Sequence, residues 1–314
     1  MSGDFLNVLF SYFLAAFGFS IGLLFLYIVI TKSPPCLRVY RNTILNLTFF
    51  YLFAMFVHAF MTQQIQTMYG SKSCAKFVAP LAYLGREMTV LSIYMYGLAV
   101  QNVAIAIAIC FFYRYEQIRH MNVSDHGKSS FRVALCVSAH GVGSIAMGAL
   151  AHVVALNAEI TENNGIYVVC FDESNYSSMT VVSAFALLLV TTVATAIVIL
   201  ATMTIRILRK QKVLMSKQTY RLQKLLTINL LVLLALPFFF DLIPIVLMAL
   251  DIVFGSNNVY LFTSLATHLP YFDVILSFVV TLGFVTPYRE AVISKLWSGQ
   301  VVTPAVSIVT SHTP

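Results

Sequence analysis

The chain has 314 residues, of which 59% are hydrophobic and only 10% are charged, whereas a soluble domain carries about 25% charged residues. This composition excludes an ordinary soluble protein, and the formal net charge of +7 would favour a nucleic-acid partner only in a soluble chain, so none is expected. We expect one membrane domain, residues 1–297, in contact with the lipid bilayer, followed by a short cytosolic tail, residues 298–314.

Seven long apolar runs follow one another along the chain. A hydrocarbon core about 30 Å thick needs about 20 apolar residues to be crossed as a helix. The sequence therefore predicts an all-α integral membrane protein, a bundle of seven transmembrane helices. The predicted spans are Phe5–Thr31, Thr43–Met61, Met88–Phe112, Val133–Ala155, Met179–Ile205, Leu225–Leu250 and Tyr260–Val285.

The first run is interpreted as a retained helix. A cleaved signal peptide starts with a positive segment and has an apolar core of about 7–15 residues. Here the early charge is Asp4, the apolar run is longer, and Lys32 follows the run instead of preceding it. The alternative, a signal peptide, would leave six spans.

Basic residues predict the orientation of the bundle. All but three of the 19 Lys and Arg residues belong to the connections after the odd-numbered runs, and the exceptions are Lys72, Lys76 and Arg86. Loops on the cytoplasmic side of a membrane collect Lys and Arg. We therefore expect the N-terminus outside and the C-terminus in the cytosol.

Two covalent modifications are predicted for the outer connections. Cys74 and Cys170 are the two cysteines on that side; they either form a disulfide or remain independent thiols, since sequence does not fix their separation. Asn175 begins an Asn-x-Ser sequon in the second outer connection and is a candidate glycosylation site.

The second outer connection is acidic and holds no Lys or Arg. Its acidic residues are Glu159, Glu162, Asp172 and Glu173. A solvated loop explains this composition, and a weak attraction for cationic ligands is the alternative.

Polar side chains inside the spans mark a candidate ligand pocket. An ionisable group costs about 2.5–3.5 kcal/mol at the centre of a membrane helix, so each one is a functional candidate. The candidates for ligand binding are Asp241, Asp273, His58, Gln101, Asn102, Tyr94 and His268. The alternative is that they only form interhelical hydrogen bonds, each worth about 0.6 kcal/mol. Pro237 and Pro244 flank Asp241 and predict a bend in the sixth helix.

The predicted cytosolic side carries aromatic and basic motifs. The third run ends in Tyr113, Arg114 and Tyr115. The connection after the fifth run holds seven basic residues and no acidic one, which the insertion rule explains by itself. That rule does not explain why Arg114 has aromatic neighbours on both sides.

These motifs resemble those of the nematode seven-transmembrane chemoreceptors of the Str-type superfamily, which includes the Srh, Sri, Str and Srd families. The Tyr-Arg-Tyr motif stands where many receptors carry Asp-Arg-Tyr. The likeness covers roughly residues 5–297. Its further motifs are Ser33-Pro34-Pro35, Tyr40-Arg41, Met215-Ser216-Lys217-Gln218-Thr219, Leu222-Gln223-Lys224 and Pro287-Tyr288-Arg289.

The resemblance implies a chemosensory G-protein-coupled receptor of the plasma membrane, in a sensory cilium. Its implied partners are a small-molecule ligand on the outer side and a heterotrimeric G protein on the cytosolic side, with no cofactor and no metal. By analogy, Arg114 with Tyr113 and Tyr115 contacts the G-protein side or locks the inactive bundle. Residues of the basic connection would take part in coupling, namely Arg209, Lys210 and Lys212. Because Tyr113 replaces the acidic residue of Asp-Arg-Tyr, the usual ionic lock within the third helix cannot form.

Other classes of membrane protein are compared on their required residues. A retinal protein needs a Lys in the seventh span, whereas Lys295 lies beyond it. The sequence does not show the paired broken helices that are typical of secondary transporters. It also shows no metal-ligand spacing, no nucleophile elbow and no phosphate loop, so we do not expect an enzyme. A ligand-gated channel subunit or a transporter without G-protein coupling is the alternative function.

Overall fold

The computed structural model describes residues 2–34, 37–69, 72–119, 129–163, 166–171, 176–213, 215–243 and 259–296. Within these ranges the chain forms eight helices. They are α1 (Ser2–Lys32), α2 (Arg38–Phe60), α3 (Arg86–Arg119), α4 (Ser129–Leu156), α5 (Tyr176–Lys210), α6 (Lys217–Pro237), α7 (Val259–Phe284) and α8 (Thr286–Leu296). Each of α1–α7 contains a segment long and apolar enough to cross a membrane. The predicted seven-span membrane fold is thereby confirmed.

Several helices extend beyond the apolar runs that predict them. Helix α3 has 34 residues and ends at Arg119, so the Tyr-Arg-Tyr motif lies on the helix itself. Helix α6 begins before its apolar run because Ser216 caps it: the Thr219 backbone N–H donates to Ser216 Oγ at 3.2 Å, which satisfies a donor of the first turn. The predicted end of the sixth span, residues 244–250, lies outside the described residues.

The connections after α2 and after α4, which are predicted as outer loops, form an antiparallel sheet. Its strands are β1 (Gln64–Tyr69), β2 (Lys72–Phe77), β3 (Ala158–Asn163) and β4 (Ile166–Phe171), in the order β1-β2-β4-β3. Two hairpins thus meet edge to edge, with β2 pairing to β4. The sheet lies at one end of the bundle, called the sheet end, because β1–β2 connects α2 to α3 and β3–β4 connects α4 to α5.

The main hydrophobic core lies between α1, α2, α3, α6 and α7. The rings of Phe25 on α1 and Phe278 on α7 stack with centroids 5.0 Å apart. Among the seven spans, α4 is the least buried within the bundle. Its exposed apolar residues suit contact with lipid, since a helix that is apolar all round needs an apolar environment on every side.

Helix α8 is held at the end of the bundle opposite the sheet. Tyr288 has 0% exposure, and its hydroxyl lies 2.7 Å from Ser33 Oγ at the end of α1. Burial raises the pKa of the Tyr288 phenol, although the Ser33 hydrogen bond and nearby Arg41 act in the opposite direction. The phenol therefore stays protonated at physiological pH and the bond to Ser33 persists.

Candidate functional site

A cavity of about 110 Å³ lies between α2, α3, α7 and the turn that follows α6. Six residues of these elements bring polar groups to its lining. They are Tyr51, His58, Tyr96, Asp241, Tyr271 and Asp273. Alanine, valine and methionine side chains supply most of the remaining wall. An apolar cavity with a few convergent polar groups is the usual form of a small-molecule site.

A π-helical turn brings Asp241 to this cavity. Pro237 ends α6 and has no backbone N–H to donate, and Phe238–Leu242 continue as a π-helix. A π-helical turn contains one extra residue, so it rotates the residues that follow it. Phe238 and Phe239 are left exposed, whereas Asp241 lines the cavity. Such turns occur frequently at functional sites.

Asp273 faces the same cavity from α7 and is only 2% exposed. Ser277, one turn further along α7, interacts with its carboxylate and donates to the Tyr51 hydroxyl at 3.4 Å. Asp241 and Asp273 are close enough to influence each other electrostatically. In the part of the chain that the structure describes, neither carboxylate pairs with a Lys or Arg.

Four buried polar atoms of the cavity residues lack a hydrogen-bond partner among the described residues. These atoms are Asp241 Oδ1, Asp273 Oδ1, Tyr271 Oη and His58 Nδ1. Buried polar groups nearly always have partners, and leaving one without costs about 1–3 kcal/mol. Their concentration around one cavity indicates a space that can hold polar atoms beyond those that the described residues supply.

The position of the proton on the neutral His58 ring follows from its hydrogen bond to α7. His58 Nε2 lies 2.8 Å from the backbone carbonyl oxygen of Thr267. A carbonyl oxygen only accepts, so Nε2 carries the proton and donates. In the neutral ring the other nitrogen, Nδ1, is then an acceptor.

A second cavity of about 150 Å³ lies between the sheet and the helices. Ala75, Phe77 and Val169 of the sheet line it, and it shares His58 and Tyr96 with the first cavity. The two spaces therefore lie on either side of the same two side chains.

A disulfide joins the two hairpins of the sheet. Cys74 on β2 and Cys170 on β4 are directly paired in register, with their Cα atoms 4.1 Å apart. This bond ties the connection before α3 to the connection before α5. Asn175, the candidate glycosylation site, lies outside the described residues.

Two further candidate ligand residues lie between α3 and α4 instead of lining the cavity. Asn102 Oδ1 lies 2.6 Å from His140 Nδ1, and Asn102 Nδ2 donates to Ser144 Oγ at 3.1 Å. The Tyr94 hydroxyl lies 2.6 Å from His152 Nδ1. These are the contacts that the interhelical alternative requires, and a ligand role for either residue stays a prediction.

The remaining two candidates are also placed away from the cavity lining. Gln101 is 9% exposed and its Nε2 lies against Gly143 on α4. His268 contacts backbone carbonyls on two helices, that of Ser264 at 2.6 Å and that of Asn7 on α1 at 3.3 Å. Of the seven candidates, the structure brings together Asp241, Asp273 and His58.

Arg114 lies near the end of α3 that is opposite the sheet, and only 2% of it is exposed. Its Nη2 donates to the backbone carbonyl of Gln223 at 2.5 Å, and its Nε donates to Thr227 Oγ1 at 3.4 Å. A third bond runs from Nη1 to Gln117 Oε1 at 3.1 Å. The guanidinium therefore joins α3 to α6 through neutral acceptors.

Tyr113 joins α3 to α4 beside this arginine. The Tyr113 hydroxyl donates to the backbone carbonyl of Arg132, and Arg132 Nε pairs with Glu116 Oε2 at 3.2 Å. Tyr115 is half-buried. The motif thus has two buried members, Tyr113 and Arg114, that hold neighbouring helices on different sides of α3.

The candidate coupling residues of the basic connection are exposed. Arg209 and Lys210 end α5, and Lys212 lies in the short 3-10 turn Gln211–Val213. Lys212 Nζ lies 5.9 Å from the centre of the Tyr220 ring. These cations are accessible to a partner at the same end of the bundle as Arg114.

Asn229 is a buried polar residue that is not among the candidates predicted from the sequence. It has 0% exposure, and its Nδ2 donates to the Tyr40 hydroxyl at 2.8 Å and to Thr281 Oγ1 at 3.2 Å. It therefore joins α6 to α2 and α7. The signal in the sequence is a lone amide within the apolar run of the sixth span.

The arrangement of seven membrane-spanning helices defines the class: a serpentine seven-transmembrane protein. The model of the family described as serpentine type 7TM GPCR chemoreceptor Srd matches residues 7–294. The chain therefore belongs to the Srd family of chemoreceptors, which confirms the resemblance to the Str-type superfamily and narrows it to one family. This is a family of receptors and not of enzymes. No curated protein matches the chain.

Proposed function

We propose that this protein is a chemosensory receptor that binds a small molecule in the cavity between α2, α3, α6 and α7 and activates a heterotrimeric G protein. The observation that carries the proposal is the set of four buried polar atoms around that cavity that have no hydrogen-bond partner among the residues the structure describes. A site whose polar groups are unsatisfied gains free energy when a ligand pairs with them. Membership of a chemoreceptor family supports a small molecule as that ligand.

The sheet end is proposed to face outward. Basic residues cluster at the opposite end, which is the cytoplasmic side under the insertion rule. The Cys74–Cys170 disulfide at the sheet end suits an oxidising environment. In this orientation the receptor lies in the plasma membrane of a sensory cilium, and the ligand enters it from outside the cell. The ligand then passes beneath the sheet and past His58 and Tyr96 to the cavity.

Helix α6 is proposed to connect the ligand site to the G-protein side. Asp241 lies just after this helix and Gln223 lies in its second turn, about 27 Å away along the axis at about 1.5 Å per residue. A ligand that binds Asp241 acts on the π-helical turn, where the bond from the Ile243 N–H to the Phe238 carbonyl replaces the regular α-helical pattern. The resulting movement of α6 separates Gln223 and Thr227 from Arg114.

The G protein is proposed to bind where that separation opens the bundle. Arg209, Lys210 and Lys212 border this end and are exposed. Acidic or polar segments of a G protein would be attracted to these cations. Arg114, released from α6, becomes available to the same partner.

The proposal is tested in cells that carry a reporter of Gα activation and are screened with small volatile and water-soluble compounds, while whole-cell current is recorded in parallel. A ligand is expected to activate Gα, and Val103→Phe, which fills the cavity, is expected to abolish the response at unchanged surface expression. Val142→Phe is the matched control, since Val142 on α4 is 68% exposed and does not line the cavity. A ligand-gated current without Gα would favour the channel alternative, and a response that survives Val103→Phe contradicts the proposed site.

A further inference from the structure

We infer that the cavity between α2, α3, α6 and α7 selects a small organic ammonium ion, bound between the carboxylates of Asp241 and Asp273. This inference rests on the proposed function, because it names the chemical class of ligand for the same site. A cavity of about 150 Å³ holds a benzene molecule with its six carbon atoms, so a cavity of about 110 Å³ suits a ligand of roughly four to five non-hydrogen atoms.

The hydrogen-bonding groups of the cavity are mostly acceptors. The carboxylate oxygens of Asp241 and Asp273 accept when ionised, and His58 Nδ1 accepts because Nε2 carries the ring proton. The Tyr271 hydroxyl can accept as well as donate. No Lys, Arg, Asn, Gln or Trp is among the described lining residues. The group that complements such a lining is a donor without acceptors, and a primary ammonium offers three donors.

The charge of the cavity favours the same group. Two carboxylates face one largely apolar space, and no Lys or Arg pairs with them in the described part of the chain. A buried charge is normally paired or ligates a metal, and removing one partner of a buried pair is strongly destabilising because the other charge is left without compensation. An ammonium ion between Asp241 and Asp273 supplies the missing charge. A carboxylate ligand would meet repulsion, and a neutral alcohol would leave the charge uncompensated.

The rest of the lining favours an organic cation over a metal ion. Tyr51, Tyr96 and Tyr271 contribute aromatic rings, and a cation is attracted to the face of such a ring. Met55 and Val103 contribute apolar surface that suits the carbon atoms of an alkyl ammonium. Metal ions such as Ca²⁺ and Mg²⁺ require about six oxygen ligands. Within the described residues no group of three or more His, Cys, Asp and Glu is arranged to hold a metal.

The route to the cavity also suits a cation. Strand β3 at the sheet end carries Glu159 and Glu162, both exposed. Negative surface charge raises the local concentration of cations and their rate of association. The second cavity beneath the sheet shares His58 and Tyr96 with the ligand cavity. Lys76 on β2 of the same sheet acts in the opposite direction, so the attraction is confined to the β3 edge of the sheet.

The test measures binding to the purified full-length receptor by its melting temperature, without a G protein. The probes are n-propylamine and isobutylamine, with n-propanol and isobutanol as neutral matches, isobutyrate as the anion and NaCl as the metal-ion control. A ligand that binds only the folded state raises the melting temperature. We expect the amines to raise it in a saturable manner, and the alcohols, isobutyrate and Na⁺ to leave it unchanged at equal concentration and ionic strength.

Isosteric variants then locate the binding. Asp241→Asn and Asp273→Asn keep the shape of the side chain and remove its charge, so each is expected to weaken the apparent amine affinity about tenfold or more, since a hydrogen bond to a charged group contributes about 1.5–3 kcal/mol. Glu290→Gln is the matched control, because this exposed carboxylate lies on α8 at the other end of the bundle. If either Asn variant fails to fold, Tyr271→Phe serves in its place, with a smaller expected loss.

Each outcome distinguishes this inference from the proposed function. Equal shifts by alcohols, isobutyrate or Na⁺, no shift by any amine, or full amine affinity in both Asn variants would overturn the ammonium inference. A neutral odorant that activates Gα through an intact cavity would also overturn it while leaving the receptor function in place. An amine that binds in a carboxylate-dependent manner without activating any Gα supports the inference and contradicts the proposed signalling.

Discussion

Arg114 on α3 donates to the backbone carbonyl of Gln223 on α6 over 2.5 Å. The receptor thus holds its third and sixth helices together with a buried arginine although Tyr113 stands where an acidic residue would form the usual ion pair. A backbone carbonyl cannot be removed by side-chain mutation. The replaceable acceptor of this contact is Thr227, whose hydroxyl accepts from Arg114 Nε.

Thr227→Val is expected to raise ligand-independent signalling about fivefold. Valine has nearly the shape of threonine, so the change removes one acceptor of Arg114, and a hydrogen bond worth about 1 kcal/mol corresponds to that factor in the population of the open state. The measurement is Gα activation without ligand, normalised to receptor at the cell surface. Thr202→Val is the control, because Thr202 on α5 is exposed and bonds only to its own helix. Unchanged basal activity in Thr227→Val would show that this bond does not restrain α6.

Asn229→Leu is expected to destabilise the bundle by about 1–3 kcal/mol, the usual cost of leaving buried polar groups without partners. The variant removes both bonds of Asn229 Nδ2, to Tyr40 on α2 and to Thr281 on α7. The loss appears as a lower melting temperature of the purified receptor. Ser138→Ala on α4 is the control, since its hydroxyl is exposed and bonds within one turn. Equal melting temperatures of the two variants would contradict a structural role for Asn229.

Cys74→Ser and Cys170→Ser are expected to reduce surface expression and ligand response to the same extent. Each change removes the same bond, which typically contributes about 2–4 kcal/mol, so the double variant should be no worse than either single one. The measurements are cell-surface labelling of each variant and the ligand response of the variants that reach the surface. Cys136→Ser is the control, because Cys136 is a free thiol on α4. Additive losses in the double variant would indicate that the two cysteines act independently.

Asn175 and the N-terminus test the orientation of the bundle. With the sheet end outside, an N-terminal epitope is expected to be labelled on intact cells. Endoglycosidase treatment is expected to reduce the apparent mass of the wild type but not of Asn175→Gln. Epitope labelling only after permeabilisation would reverse the orientation. Glycosylation that persists in Asn175→Gln would assign the glycan to another residue.

The seven spans could be predicted because apolar length along the chain is sufficient evidence for a membrane helix. The rotation of each helix about its own axis could not be predicted, because a helix in lipid is apolar on most faces and gives a weak periodic signal. Asp241 and Asp273 were therefore predicted as members of a site, and so were Asn102 and Tyr94, which instead meet His140 and His152 on α4.

The sheet was missed although the sequence carries a signal for it. Asn164 and Gly165 stand between two segments of strand-like residues, and an Asn-Gly pair in that position is a strong hairpin signal. The pairing of β2 with β4 joins segments nearly a hundred residues apart, and no local pattern encodes it. The neutral acceptors of Arg114 were hidden for the same reason, since Gln223 and Thr227 lie on a different helix.

The Cys74–Cys170 bond closes the chain into a covalent ring, with a sequence separation of 96 residues. Helices α3 and α4 lie wholly within this ring, whereas α6 and α7 lie outside it. Arg114 therefore lies on a helix inside this ring, whereas both carboxylates lie on elements outside it. If α6 moves as proposed, the disulfide keeps the connections before α3 and α5 together at the sheet end, so the displacement is expected to be read as a change in the distance between Arg114 and Gln223.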